Sequence, residues 1–437
     1  MSAASRAERI EIHDLAHDGR GVGRLDGKTV FVAGALPGET VMIRRQIRHR
    51  RHDEARLLEV LTASAERVTP PCAAFGRCGG CALQHLAPAA QVAAKERQLL
   101  AELKRIGRVE PETCLAPLTG PTLGYRRRAC LGVKFLAREQ RVIVGFRARD
   151  SAELAALDRC HVLAAPVGEL IAALATLIGS LSIARRVPQI EVAIAATATV
   201  LVLRVLAPPS AADAERLRDF ARQHGLEFWV QPGDEASARP LDAPGSRLRY
   251  ALAEAALAVE FGPHDFVQVN AALNEAMVSQ ALALLEVAAT DSVLDLYCGL
   301  GNFTLPLARR ARQVLGVEGE ASLVARARAN ASANGLANIR FAHANLAADL
   351  CAESWAGQHF ERILLDPPRA GALEVLPLVA RSRPRRVVYI SCHPGTLARD
   401  AGVLVHQHGY RLQALGVMDM FPHTAHVESV AAFEPAR

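Results

Sequence analysis

The sequence predicts a multidomain protein: a small N-terminal β-barrel, a mixed α+β middle, and a C-terminal α/β unit with a doubly wound, Rossmann-like sheet. Three observations carry this. Short alternating strands separated by glycines fill residues 8 to about 62. Apolar strands and helical stretches alternate from about residue 256 onward, the pattern of a largely parallel sheet. Between them lies a region with less regular periodicity and a cysteine cluster. The implied boundaries are residues 1–65, 66–255 and 256–437.

In the first unit, strand-like alternation appears at Ile10-Glu11-Ile12, Thr29 to Val32, Glu39 to Ile43 and Leu57 to Val60. Gly19, Gly21, Gly23, Gly27, Gly34 and Gly38 supply turns, a spacing that suits a small barrel. Arg44, Arg45, Arg48, Arg50, Arg51 and Arg56 face only Asp53 and Glu54 in the stretch that follows. Two explanations stand level: a sheet edge guarded against aggregation, or a nucleic-acid surface.

The middle unit opens with Cys72-x5-Cys78-Gly79-Gly80-Cys81, and Cys160 is the best-placed fourth thiol. Two glycines between thiols let the chain fold tightly round one metal centre. All-thiolate sites suit zinc or an iron–sulfur cluster, and spacing alone does not choose. Residues 87–105 read as an amphipathic helix with one charged face, and Tyr125-Arg126-Arg127-Arg128 is a second basic cluster. Strand-like runs follow near 141–146, 189–194 and 200–206.

In the last unit, strands are expected at 291–297, 313–318, 339–345, 361–366 and 385–391, with a closing pair at 410–418 and 428–434. The run Asp295-Leu296-Tyr297-Cys298-Gly299-Leu300-Gly301-Asn302-Phe303 is a glycine turn after a strand, and Glu318 ends the next strand. Such a pair suits a nucleoside cofactor: glycines admit a close ligand and the acid accepts from ribose hydroxyls. Asp366, after the fourth strand, faces the same crevice. Cys392 ends the fifth strand, just before Pro394-Gly395. A strand-end cysteine is most often an inert buried thiol. Glu428, opening a buried strand, changes that balance, because carboxylates seldom sit there without a reason. A thiol attacks carbon and a carboxylate handles a proton. One reaction needs both beside a methyl donor. Uracil C5 is a poor nucleophile until a thiolate adds at C6, and a base must then remove the C5 proton.

Composition sets outer limits. The chain has 437 residues, half of them hydrophobic and 22% charged, enough for several packed domains. Net charge is +6, and only four of the 51 basic residues are lysine. Arginine preference fits either a GC-rich genome or phosphate recognition. Residues 1–6 lack an apolar leader segment. The longest apolar run, about a dozen residues from 192 to 203, is short of a membrane span's ~20. A cytoplasmic protein without a membrane partner is therefore expected. Nothing in the sequence calls for an obligate protein partner, so a monomer is expected too.

These motifs together resemble the RNA uracil-C5 methyltransferases, in the branch acting on 23S ribosomal RNA. The carriers are the cysteine cluster, the glycine turn, Asp366-Pro367-Pro368-Arg369, Ser391-Cys392-His393-Pro394, and Phe421-Pro422-His423-Thr424-Ala425-His426-Val427-Glu428. The resemblance implies an OB-like TRAM barrel, a central domain with a 4Fe-4S cluster on Cys72, Cys78, Cys81 and Cys160, and a methylase domain. It implies S-adenosylmethionine held by Gln268, Tyr297, Asn302, Glu318, Asn345 and Asp366. It implies Cys392 as nucleophile and Glu428 as base. His393 departs from the family's usual Asn or Asp and stands where it would touch the thiol's ionisation. The barrel argues for a ribosomal rather than a transfer RNA substrate.

Overall fold

The computed structural model describes residues 7–348, 350–351 and 353–436. Its first unit is a barrel of five strands: Glu8–Leu15, Gly21–Leu25, Lys28–Ala33, Thr40–Arg48 and His52–Thr62. Glu8–Leu15 pairs with both Gly21–Leu25 and Thr40–Arg48, which closes the ring. Strand alternation turns Ile10, Ile12, Val30, Val32, Val41 and Ile43 inward, each at most 3% exposed. A Cβ at Gly23 would lie 2.6 Å from the Glu11 carbonyl oxygen, so only glycine fits there. Closure leaves no free edge. The edge-guarding explanation for the arginines therefore falls: they lie on and around a tight hairpin between the last two strands.

The central sheet has seven strands, in the order Arg239–Pro240, Glu227–Gln231, Thr199–Arg204, Gln189–Ile194, Arg128–Leu136, Arg141–Arg147, Leu154–Ala156. Helices Ile171–Ser180 and Ala211–His224 contribute Leu174, Ile178 and Leu217 to its core. Ser210 and Asp213 form a reciprocal capping box at the start of the second helix, worth ~1 kcal/mol.

The C-terminal sheet has eight strands, in the order Ile339–His343, Gln313–Glu318, Ser292–Leu296, Arg362–Leu365, Arg386–Ser391, Glu428–Pro435, Tyr410–Met418, Thr113–Cys114. The first five run parallel. Glu428–Pro435 inserts antiparallel between Arg386–Ser391 and Tyr410–Met418. Chain order reverses beside Ser292–Leu296, whose neighbours are Gln313–Glu318 and Arg362–Leu365. Such a switch point opens a crevice at the carboxyl ends of the strands.

The cores cross the linear boundary expected at residue 255. Helix Pro88–Glu102 and the π-helical turn Leu103–Gly107 pack on helix Pro394–His408, and Leu99, Leu103 and Val109 join the core of the C-terminal sheet. The hairpin Leu248–Leu252/Leu257–Phe261 joins that sheet's other face. The expected charged face of the helix also needs correction. Gln91 and Lys95 lie on its buried side with Val92 and Leu99. Sequence boundaries follow composition, whereas a core forms from whichever faces meet.

Candidate active site

The crevice is lined by residues that end or follow the parallel strands. After Ser292–Leu296 the chain turns through Tyr297 at φ +65°, Gly299 at +53° and Gly301 at +95°. A Cβ at Gly301 would approach the Leu305 side chain to 3.1 Å. Glu318 braces this turn: its carboxylate accepts from Gly299 N at 3.0 Å, Gly319 N at 2.7 Å and Glu320 N at 3.1 Å. Thr304, where a dinucleotide fingerprint has its third glycine, donates to the buried Asp295 at 2.5 Å. Burial, against that hydrogen bond, pushes Asp295 up to about 8, with Asp366 and Glu318 adding to the rise.

The remaining expected cofactor residues differ in how free they are. Asn302 is engaged: its side chain exchanges two hydrogen bonds with Asn274, at 3.0 and 2.9 Å, and accepts from Tyr250 Oη at 3.0 Å. That fixes its amide and makes Asn274 and Tyr250 supports that sequence reasoning missed. Asn345 is exposed and accepts from Ala347 N at 3.0 Å. Gln268, half-buried before helix Ala271–Leu285, has no side-chain partner among the described residues.

Cys392 and Glu428 meet through sheet register. Ser391 pairs with Ser429 across the antiparallel strands, so the next step sets Cys392 opposite Glu428. Facing side chains in such pairs start ~5 Å apart. Ser429 Oγ donates to Ser391 O at 3.2 Å and locks the pairing. Burial pushes the Cys392 thiol up to about 11; Glu428 and Asp366 add to the rise and Arg369 opposes it. Glu428 is 4% exposed. Burial, then the neighbouring Asp366, pushes it up to about 8, again against Arg369. Burial alone pushes Asp366 up to about 7. Among the described residues neither carboxyl has a hydrogen-bond partner within the protein, and Asp366 is half-buried, so both are left to solvent or a ligand. His393 does not bear on the thiol directly: its Nδ1 accepts from Thr396 N at 3.2 Å and caps helix Pro394–His408.

Cys72, Cys78, Cys81 and Cys160 line one cavity of about 90 Å³, several times a water's ~30 Å³. Burial raises Cys78 and Cys160 and pushes Cys81 up to about 12, and the other thiols add to each rise. Among the described residues, the His/Cys/Asp/Glu group whose ligand atoms all lie within 4.8 Å of one another is His49, His52 and Glu54, on the barrel. The four cysteines are spread wider round their cavity.

The arginines divide. Arg44, Arg48, Arg50, Arg51 and Arg56 are exposed. Arg45 is held by Glu8, Asp26 and Asp53 at 2.5, 2.9 and 3.2 Å. Arg126 lines the cysteine cavity and Arg128 donates to Pro263 O. These three are committed within the protein.

A barrel joined to a doubly wound sheet, with a nucleoside-type crevice and a thiol facing a carboxyl, defines an RNA-modifying transferase class. Residues 91–434 match the family model described as tRNA (Uracil-5-)-methyltransferase, and residues 6–44 match the TRAM domain. The chain belongs to the tRNA (uracil-5-)-methyltransferase family. It is 54% identical over 426 residues to the 23S rRNA (uracil(1939)-C(5))-methyltransferase RlmD of Alkalilimnicola ehrlichii, covering 97% of this chain and 96% of that protein. The protein of that name from Stenotrophomonas maltophilia is 51% identical, covering 98% and 97%. Pyrococcus abyssi tRNA (uracil-54, C5)-methyltransferase, solved with S-adenosyl-L-homocysteine, has the same fold: TM-score 0.75, 24% identity, 98% of this chain and 100% of its own. A tRNA enzyme thus shares the whole layout, and the barrel does not separate ribosomal from transfer RNA substrates.

Proposed function

We propose that the protein methylates C5 of a uridine in 23S ribosomal RNA, with S-adenosylmethionine as methyl donor. The observation that carries this is Cys392 facing Glu428 at the switch-point crevice, in a chain half-identical to enzymes named for that reaction. Bound in the crevice, the donor supplies an electrophilic methyl group. The Cys392 thiol gives up its proton to water, and the thiolate bonds to C6 of the uracil and makes C5 enolate-like. C5 would take the methyl group as the donor's S–CH3 bond breaks and the donor leaves as a neutral thioether. Glu428 then removes the C5 proton, the C6–S bond breaks, and the thiolate leaves. Burial raises both groups, so the thiol must shed its proton before it adds and Glu428 must be ionised when the C5–H bond breaks. Glu318, a braced acceptor, suits the ribose hydroxyls; Gln268, Tyr297, Asn302, Asn345 and Asp366 complete the proposed donor site.

The cysteine set is read as the ligands of a 4Fe-4S cluster. Zinc with Zn–S near 2.3 Å draws tetrahedral sulfurs to roughly 3.8 Å apart. A wider all-thiolate cavity suits a polynuclear cluster better. Cluster iron would supply the positive charge that these burial-raised thiols lack. Iron and acid-labile sulfide analysis of anaerobically isolated protein tests it; one tightly held zinc per chain would sink it.

The test of the reaction is a denaturing gel with labelled RNA and S-adenosylmethionine. Cys392→Ala should abolish methylation and covalent attachment. Glu428→Gln should accumulate a protein–RNA adduct, because the C5 proton cannot leave. Normal turnover by Glu428→Gln without a shifted band would remove Glu428 as the base.

A further inference from the structure

The segment leading into Glu428 is tied to the cysteine loop by a buried hydrogen-bond network. His423 O accepts from Ala82 N at 2.8 Å and Leu83 N at 2.9 Å, the two residues after Cys81. Gln91, 1% exposed, bridges the same two segments. Its Nε2 donates to Leu83 O at 3.0 Å and Leu86 O at 2.7 Å and lies 3.1 Å from His423 Nδ1. Its Oε1 accepts from His423 N at 2.8 Å. Tyr125 Oη donates to Pro422 O at 3.0 Å. Lys95 Nζ donates to Asp419 at 2.6 Å and to Phe421 O at 3.1 Å. His423 sits at φ +66°, a conformation costly for a non-glycine residue and held only by its surroundings.

Among the described residues the Glu428 carboxyl has no hydrogen bond of its own. Apart from the nearby charges of Arg369 and Asp366, backbone therefore aims it: the strand pairing to Met418 on one side and the clamped segment before it on the other. We propose that Gln91 and His423 are positioning residues, which clamp the 421–427 segment to the cysteine loop so that an intact loop is a condition for Glu428 to face the C5 proton. This rests on the readings of Glu428 as base and of the cysteines as cluster ligands.

The test uses the full chain, isolated anaerobically, on RNA with protium or deuterium at uridine C5. Gln91→Leu should lower kcat about ten- to hundred-fold, since misplacing a catalytic group by ~1 Å costs that much. KM for S-adenosylmethionine should fall with it and kcat/KM should hold, because the slowed step follows methyl transfer. The C5 isotope effect on kcat and the steady-state fraction of covalent adduct should both rise above the parent's, because proton removal becomes the slow step. A merely structural defect lowers the active fraction and moves neither. Tyr125→Phe, which keeps the ring's volume and loses only the bond to Pro422, should shift both readouts in the same direction to a smaller extent. It decides alone if Gln91→Leu does not fold. Unchanged isotope effect and adduct fraction in the folded variants, while Glu428→Gln traps adduct, would overturn the clamp alone. No adduct with Glu428→Gln overturns the base assignment and the clamp with it. A parent that carries no iron yet is fully active overturns the cluster reading and the dependence on an intact site.

Discussion

Replacing the proposed base should make the protein more stable, by an amount that grows with pH. Glu428 is 4% exposed, and its folded-state pKa is raised from the ordinary 4.5 to about 8. A carboxyl raised in this way costs nothing below about pH 4.5, where it is protonated both folded and unfolded. Above that, the unfolded chain ionises freely while the folded one resists. The penalty therefore accumulates from pH 4.5 up to pH 8 and is constant beyond. At about 1.4 kcal/mol per pH unit, it reaches roughly 3 kcal/mol at pH 7. Glutamine keeps the shape and stays neutral, so Glu428→Gln removes the penalty.

Thermal unfolding of both proteins, anaerobically and at matched iron content, measures this. Their Tm values should nearly coincide at pH 5. The variant should gain on the order of 3–5 °C by pH 7–8, with no further gain at higher pH. A gap independent of pH, or a parent more stable than the variant at pH 8, would refute the reasoning. The parent's kcat should rise between pH 7 and 8.5 as Glu428 ionises.

Four further outcomes are expected. Lys95→Met should cost about 3–5 kcal/mol by stranding the buried Asp419, and Lys95→Met/Asp419→Leu should recover most of it; urea midpoints report both. Gly301→Ala should weaken S-adenosylmethionine binding while RNA affinity holds, because φ is +95° and the new methyl meets Leu305; calorimetry with each ligand separates the two. Replacing exposed Arg48 and Arg51 by Ser should flatten the salt dependence of RNA binding by about one phosphate contact each. Arg45→Ser should instead loosen the barrel, since Glu8, Asp26 and Asp53 lose their shared cation; binding across a salt series and barrel melting tell them apart.

The sequence by itself determined what is local. A strand that stops at a glycine turn, an acid or a thiol followed by proline is visible within ten residues, because strand period and turn chemistry depend on near neighbours. Hence Tyr297, Glu318, Asp366 and Cys392 could all be placed at strand ends, and four of the five barrel strands announced themselves through alternation and glycine, while Gly21–Leu25 passed for turn. Tertiary structure decided everything that depends on which faces meet. Glu428 faces Cys392 only because the last strand inserts antiparallel beside Arg386–Ser391 in one register, and a slip of one residue would turn the carboxyl to the other face. Cys160 joins the other thiols only through the central sheet and its connections. Arg45 looks like its neighbours in sequence but is drawn in by three carboxylates. Gln91 and Lys95 read as a polar helix face, yet they are buried because the segment before Glu428 brings them a matching acid and matching backbone groups. A polar side chain's fate depends on the partner that arrives from elsewhere in the chain, and periodicity within one helix carries no record of that partner.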